Sequence, residues 1–213
     1  ETFPKGDFYL TEEEEKMIET VTRYFEKVVV VLNVGGMVDT SWFVKEKKIP
    51  AVLLAWQGGM EGGLAAAELL AGMGSPSGKL PDTFAARLED YPSSYNFHES
   101  DFYVDYTDDI YVGYRYFETI PGALAKVNYP FGFGLSYTQF DWQVVSVSEK
   151  LGQLLVQVDL TNVGKRPGKE VLQVYGMAPQ GKLGKSKRHL LVFEKSRLLQ
   201  PGETQRLRLA WKM

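Results

Sequence analysis

Two short apolar runs constrain the fold of this chain more than any other feature. Val28–Val34 is almost wholly β-branched, interrupted only by Asn33, and Ala51–Trp56 is a second continuous apolar stretch. Strands that alternate apolar and polar residues cover one face of a sheet. Continuous runs predict strands buried on both faces, the pattern of parallel sheets sandwiched between helices. The segments around them read as helices. Thr11 followed by Glu14 is a capping box, in which the hydroxyl accepts a backbone N–H and the carboxylate reaches back to the cap. Met17, Ile18, Val21, Phe25 and Val28 then recur at helical spacing, and Glu12–Glu15 place negative charge at the positive end of the helix dipole. Thr40–Lys48 predicts a short helix ending before Pro50, and Leu64–Ala71 another. Strand, helix, strand, helix is the signature of an α/β layer.

The pattern then changes twice. Residues 74–81 are turn chemistry, and residues 91–118 form a long aromatic and acidic stretch with little helical period. Within it, Tyr111–Phe117 alternates in a way that suits a strand. From Phe140 onward the period becomes two. Leu154, Val156, Val158 and Leu160 make one apolar face, Asn162-Val163-Gly164 is a turn, and Val171–Tyr175 is a strand. Pro201-Gly202 is a turn, and Thr204–Trp211 alternates again. Repeated short strands with turn signals predict a small antiparallel β-sandwich. The boundary falls between Thr138 and Gln139, giving domains 1–138 and 139–213.

Charge and composition exclude several classes of function. With 24 basic and 27 acidic residues the net charge is −3, so no positive field draws in a phosphate backbone, and nucleic acid is not an expected partner. The cluster Lys182, Lys185, Lys187, Arg188 reads as a solvated loop. With no cysteine, disulfides, thiolate zinc sites and a cysteine nucleophile are ruled out. No apolar run approaches the ~20 residues of a membrane-spanning helix, so no membrane partner is expected. The chain opens on Glu1 without a charged-then-apolar leader, and is expected to begin inside a longer protein. Its compartment stays open, with a bacterial cytoplasm favoured. No cofactor and no metal is expected. His98 beside Glu99 and Asp101 imitates a metal cluster but reads as loop polarity. Gly35-Gly36 and Gly58-Gly59 lack nucleotide-binding spacing, and Asp39-Thr40-Ser41 lacks the elbow of a serine hydrolase.

Five segments, in order, carry a resemblance. They are Val30–Gly36 with Val38-Asp39; Trp56-Gln57-Gly58-Gly59-Met60-Glu61-Gly62-Gly63; Pro76-Ser77-Gly78-Lys79-Leu80-Pro81; Tyr111–Phe117 with Pro130–Thr138; and Asn162-Val163-Gly164 with Gly168–Tyr175. Together they span nearly the whole chain, which resembles the C-terminal part of family 3 glycoside hydrolases of the β-glucosidase type. The resemblance implies a three-layer α/β/α sandwich with a mostly parallel sheet over 1–138. A fibronectin type III-like antiparallel sandwich follows over 139–213, truncated at its end. It also implies a retaining enzyme that cleaves terminal β-linked glucose or a related sugar with two carboxylates.

In that family the nucleophile is an Asp on a TIM barrel. A barrel needs ~250 residues, more than this chain holds, so the barrel is expected in the same protein or a companion chain. The acid/base of relatives is a Glu shortly before a Lys-Gly-Asp-Tyr-Tyr-Leu segment, which Lys5–Leu10 matches. That places it just upstream of residue 1, with Glu1 as the sole candidate here. No substrate-binding residue is assigned, and this chain alone is expected to be inactive. Glu61 reads as a helix cap, with sugar binding as the alternative, and Trp56 as core packing or a sugar platform. The aromatic stretch 91–118 is expected to pack against the barrel or face a sugar, with 96–105 its mobile part. A non-catalytic carbohydrate-binding or docking module remains the other reading of the whole chain.

Overall fold

The computed structural model describes residues 7–97 and 99–212. The chain divides into two compact units, one of residues 1–63 with 82–131 and the other of residues 64–81 with 132–213.

In the first unit the N-terminal helix α1 (Glu12–Tyr24) starts on the predicted capping box. Thr11 Oγ1 accepts the Glu14 N–H at 3.2 Å, and the Thr11 N–H donates to Glu14 Oε2 at 2.8 Å. The helix ends earlier than the apolar spacing suggests. Phe25 is already extended, and Val28 lies beyond the helix with its N–H donating to the Lys48 carbonyl at 2.7 Å. The β-branched run takes precedence there, because Val29–Leu32 forms strand β1 and Val28 leads into it. Strand β1 pairs in parallel with β2 (Ala51–Leu54), Val29 opposite Ala51 and Leu32 opposite Leu54. Between them lies helix α2 (Ser41–Val44), shorter than expected, with Phe43 buried beneath it. One expectation fails: β1 is not buried on both faces. Val29 and Val31 are 53% and 41% exposed, since among the described residues little covers one side of the strand.

Helix α3 (Gly62–Leu70) follows β2 and carries the chain into the second unit. On its return to the first unit the chain forms β3 (Phe84–Ala85), antiparallel to β4 (Val127–Tyr129). Between these strands comes helix α4 (Tyr114–Thr119), where the alternation of Tyr111–Phe117 suggests a strand. Gly113, at φ 57°, starts the turn that admits the helix, and helical winding then points Phe117 into the core at 1% exposure. Phe117 packs with Ala85 and Ala123, and Tyr91, Tyr116 and Val127 close over them.

The second unit is built on antiparallel strands. β5 (Phe140–Lys150), β6 (Gln153–Asn162) and β9 (Thr204–Lys212) form one sheet in the order β5-β6-β9, while β7 (Val171–Gly176) pairs with β8 (His189–Lys195). The alternation of β6 is obeyed: Val156, Val158 and Leu160 are buried with Leu207 and Leu209 of β9, and Leu172, Val174 and Val192 pack on them from the other pair. Strands β5 and β6 are joined by the two residues Leu151-Gly152, both left-handed at φ 53° and 71°, the mirror-image turn that matches strand twist. At the predicted Pro201-Gly202 turn, Gly202 has φ 80° and the Glu203 N–H closes onto the Gln200 carbonyl at 3.0 Å. No described helix is long and apolar enough to cross a membrane.

Candidate functional site

Ligands of open α/β sheets gather at the carboxyl ends of the strands. Here those ends are the loop after β1, residues 33–39, and the loop after β2, residues 55–61. The two loops touch. The Gln57 side chain crosses Gly35 so closely that a Cβ there would sit 2.8 Å from Gln57 Nε2. Trp56 turns the chain out of β2 with φ 54°, a left-handed conformation that is strained for a bulky residue and is held by its surroundings. Its half-buried ring lies 6.3 Å from Phe84, so it packs, as one of the two readings holds. The turn that follows holds Met60 fully in solvent and leaves Glu61 exposed.

Glu61 does not cap α3. Among the described residues its carboxylate accepts no hydrogen bond, and the Gly62 N–H donates to the Gly59 carbonyl at 2.9 Å. Asp39 shapes the local backbone. Its Oδ1 accepts the Ser41 N–H at 2.8 Å, an Asx turn that leads into α2, and its carbonyl accepts from Trp42 Nε1 at 3.0 Å.

A second cluster joins these loops to the start of the described chain. Phe8 and Tyr9 are held at three points. The Phe8 carbonyl accepts the Asp39 N–H at 2.7 Å. The Tyr9 hydroxyl accepts the Leu88 N–H at 3.1 Å and donates to Glu89 Oε2 at 3.3 Å. The Phe8 ring meets Tyr9 and Tyr91 edge-on, with centroids 4.9 and 6.1 Å apart. A hollow of about 200 Å³ opens beside this clamp, walled by Phe8, Met37, Tyr91 and Phe97. Tyr91 is itself pinned, its hydroxyl accepting the Ala85 N–H at 2.8 Å and donating to the Thr83 carbonyl at 3.0 Å. Burial, with Asp82 and Asp90 adding repulsion, pushes its phenol up to about 12. Tyr9 is likewise raised, first by burial and then by the nearby Glu89 carboxylate. Sequence reasoning assigned neither tyrosine a role; the one signal for Tyr9 was its place in the Lys5–Leu10 segment.

The remaining candidates are separate. Glu1 and His98 lie outside the described residues, and among the described residues no group of three His, Cys, Asp or Glu side chains could hold a metal ion. In the aromatic stretch, Asn96 ties its loop together, donating to the Asp105 carbonyl at 2.7 Å and accepting from Thr107 Oγ1 at 3.3 Å. Tyr95, Phe102 and Tyr106 stand 79%, 96% and 90% exposed on it. Burial raises the carboxyl of Asp108 at its far end. In the basic cluster, the Arg188 guanidinium lies 4.5 Å over the Tyr175 ring and Lys185 Nζ donates to the Pro179 carbonyl at 3.1 Å, ordinary loop contacts.

With this fold the chain matches solved β-glucosidases. The chain superposes on a β-glucosidase from Paenibacillus barengoltzii with a TM-score of 0.92 and 51% identity, covering 98% of this chain and 23% of that one. It superposes on β-glucosidase 3B from Thermotoga neapolitana, solved in complex with α-D-glucose, with a TM-score of 0.89 and 42% identity over 98% and 29% of the two chains. Residues 1–137 match the glycosyl hydrolase family 3 C-terminal domain, and the chain belongs to that family. Among curated relatives, β-glucosidase A of Butyrivibrio fibrisolvens is 59% identical over 99% of this chain and 27% of its own length. A β-glucosidase of Ruminococcus albus is 46% identical over 95% and 21%. The chain thus spans about a quarter of the relatives it matches.

Proposed function

We propose that the chain is the C-terminal portion of a β-glucosidase that removes terminal β-linked glucose, or a related sugar, by a retaining two-carboxylate mechanism. Identity of 59% to a β-glucosidase across 99% of the chain carries this reading. In such a mechanism the nucleophile and the acid/base stand about 5–5.5 Å apart. The nucleophile belongs to a barrel outside this chain, and the acid/base is expected in the segment just upstream of residue 1, with Glu1 the candidate within the chain. The chain's own part is to form a wall of the site and to support that segment.

In this reading residues 1–138 form a three-layer α/β/α domain whose sheet extends beyond β1 and β2. The exposed Val29 and Val31 support it, as a strand face that further structure would cover. Residues 139–213 form a fibronectin type III-like sandwich, supported by the two antiparallel sheets that share one core. The exposed rings of the 95–106 loop face the barrel.

The test compares the full-length protein with the isolated chain on a nitrophenyl β-glucoside. The full-length protein releases nitrophenol and the chain alone does not. Release by the repurified chain refutes the missing-barrel assignment. A full-length protein that binds glucosides without hydrolysing them refutes the enzymatic reading in favour of a binding module.

A further inference from the structure

We infer that the second unit carries a binding site for an acidic polysaccharide, a chain of uronic acid units, on the outer face of the β5-β6-β9 sheet. The inference goes beyond the function proposed above and stands whether or not the full-length protein hydrolyses glucosides. The net charge of −3 hides a separation of sign. Residues 139–213 hold thirteen basic and six acidic residues, whereas residues 1–138 hold eleven and twenty-one. A face turned to water needs charge, but solubility alone favours both signs interspersed. On this sheet the surplus gathers on one side. Residues that stand opposite one another across antiparallel strands share a face. Lys150, Gln153 and Lys212 therefore form one row across the outer face, and Ser146, Gln157 and Arg208 another. A further row ends in Arg206, whose guanidinium grips Asp159 through two bonds of 2.8 and 2.7 Å.

That pair neutralises the Asp159 carboxylate locally. Lys150, Arg208 and Lys212 are exposed, and among the described residues their charged ends make no hydrogen bond or ion pair. Asp141, at the far corner opposite Thr161, turns an oxygen to the Trp142 N–H at 2.9 Å. Strand geometry sets Lys150 and Lys212 about 10 Å apart, and Arg208 about 13 Å from Lys212 along β9. Three cations so spaced do not converge on one compact anion; they fit charges repeated along a polymer. Gln153 and Gln157 stand between them, and an amide both donates and accepts, which suits sugar hydroxyls. A single-stranded nucleic acid calls instead for rings on which bases stack. The rings of these strands, Phe140, Trp142 and Trp211, stand opposite Asn162, Leu160 and Leu154, on the core side of the sheet. Charge complementarity thus selects a polyanion, and amides without rings select a polysaccharide.

The experiment measures binding of polygalacturonate to the full-length protein. Binding is expected in about 20 mM salt and at least about tenfold weaker in about 200 mM, because salt screens exposed charges. The triple variant Lys150→Gln, Arg208→Gln, Lys212→Gln is expected to bind about tenfold more weakly. A matched variant off this face, Lys165→Gln, Lys182→Gln, Lys195→Gln, loses the same charge and is expected to change binding less than about twofold. Fully methyl-esterified polygalacturonate keeps the hydroxyls and lacks the charge, and the unsubstituted protein should bind it at least about tenfold more weakly; this comparison needs no variant to fold. The inference is overturned by absence of binding to polygalacturonate, by equal losses in the two triple variants, or by equal binding of the methyl ester. Tighter binding of a single-stranded polynucleotide than of polygalacturonate overturns it too. Hydrolysis of a nitrophenyl β-glucoside is read separately, so failure of the enzymatic reading and failure of this one are distinct results.

Discussion

The fully buried side-chain amide of Asn162 donates from Nδ2 to the Leu199 carbonyl at 2.9 Å, linking the end of β6 to the segment that precedes β9. Its other bonding positions are also filled. Nδ2 donates to the Arg166 carbonyl at 2.8 Å, and Oδ1 accepts from Thr138 Oγ1 at 2.7 Å and from the Gly164 N–H at 3.1 Å. No hydrophobic residue can reproduce this set, and each buried group left without a partner costs about 1–3 kcal/mol. Asn162→Ala is therefore expected to destabilise the second unit by about 2–4 kcal/mol, read from urea denaturation. Thr138→Val, which removes one of the four bonds, is expected to cost less. A loss below about 0.5 kcal/mol for Asn162→Ala would mean that water takes over the bonds.

Asn162 also marks what the sequence makes visible and what it hides. The Asn162-Val163-Gly164 turn, the β6 alternation and the Pro201-Gly202 turn are local signals, and all three are obeyed because residue type alone dictates the backbone there. Strand β5 is less visible, since most of its residues are exposed and a register shift between Val144 and Ser146 breaks its period. The alternation over Tyr111–Phe117 misleads because one buried ring, Phe117, decides the conformation. The Thr11–Glu14 capping box was legible, whereas the helix end at Tyr24 was not, being set by the neighbouring strand. At the candidate site the glycine-rich loops were legible as motifs. The Phe8-Tyr9 clamp was not, because its partners lie about eighty residues away and nothing local announces them.

Lys79 supplies a second test within the second unit. Its Nζ lies 2.8 Å from Glu170 Oε1 and donates to the Gly134 carbonyl at 2.8 Å, with the two side chains only 16% and 22% exposed. Removing the cation leaves a largely shielded carboxylate, although Glu170 Oε1 keeps the Val171 N–H at 2.7 Å. Lys79→Met is expected to lower stability by about 1–3 kcal/mol, and the double variant Lys79→Met with Glu170→Gln by less than the sum of the two single changes. Strict additivity in a double-mutant cycle would show that the pair is not coupled.

The raised phenol of Tyr91 sets a pH dependence. Its folded value is pushed up to about 12 by burial, while in the unfolded chain it titrates near its ordinary 10.0. The folded state thus holds the proton more tightly. The stability this confers is complete below pH ~10, falls as the unfolded chain ionises, and is lost as pH rises through about 12. Phenolate absorbance should show one tyrosine that ionises late, together with unfolding. Tyr91→Phe should remove that late phase and flatten the alkaline fall in stability. It should also destabilise at neutral pH by about 1–3 kcal/mol, since the Ala85 N–H loses its acceptor. A variant with an unchanged alkaline profile would assign the late phase to another tyrosine.

The aromatic loop gives a prediction about the whole protein. Phe102 and Tyr106 are almost fully exposed, and Tyr95 nearly so, although rings of this size normally bury most of their surface. Asn96 closes the loop at its base, so the rings stand on a formed platform. A cluster of exposed rings of this kind is best explained by a surface that meets it. In the proposed enzyme that surface is the barrel. Chymotrypsin, which cuts after aromatic residues, is then expected to cleave the isolated chain first within residues 96–105. The same bonds should be cut at least about tenfold more slowly in the full-length enzyme, because docking must be undone before the protease can bind. The Tyr114–Thr119 helix, with Phe117 in the core, should resist in both forms. Equal cleavage of residues 96–105 in the two forms would show that the rings face solvent in the whole protein. Slowing of that cleavage by glucose or cellobiose in the full-length enzyme alone would then assign them to the sugar instead of the barrel.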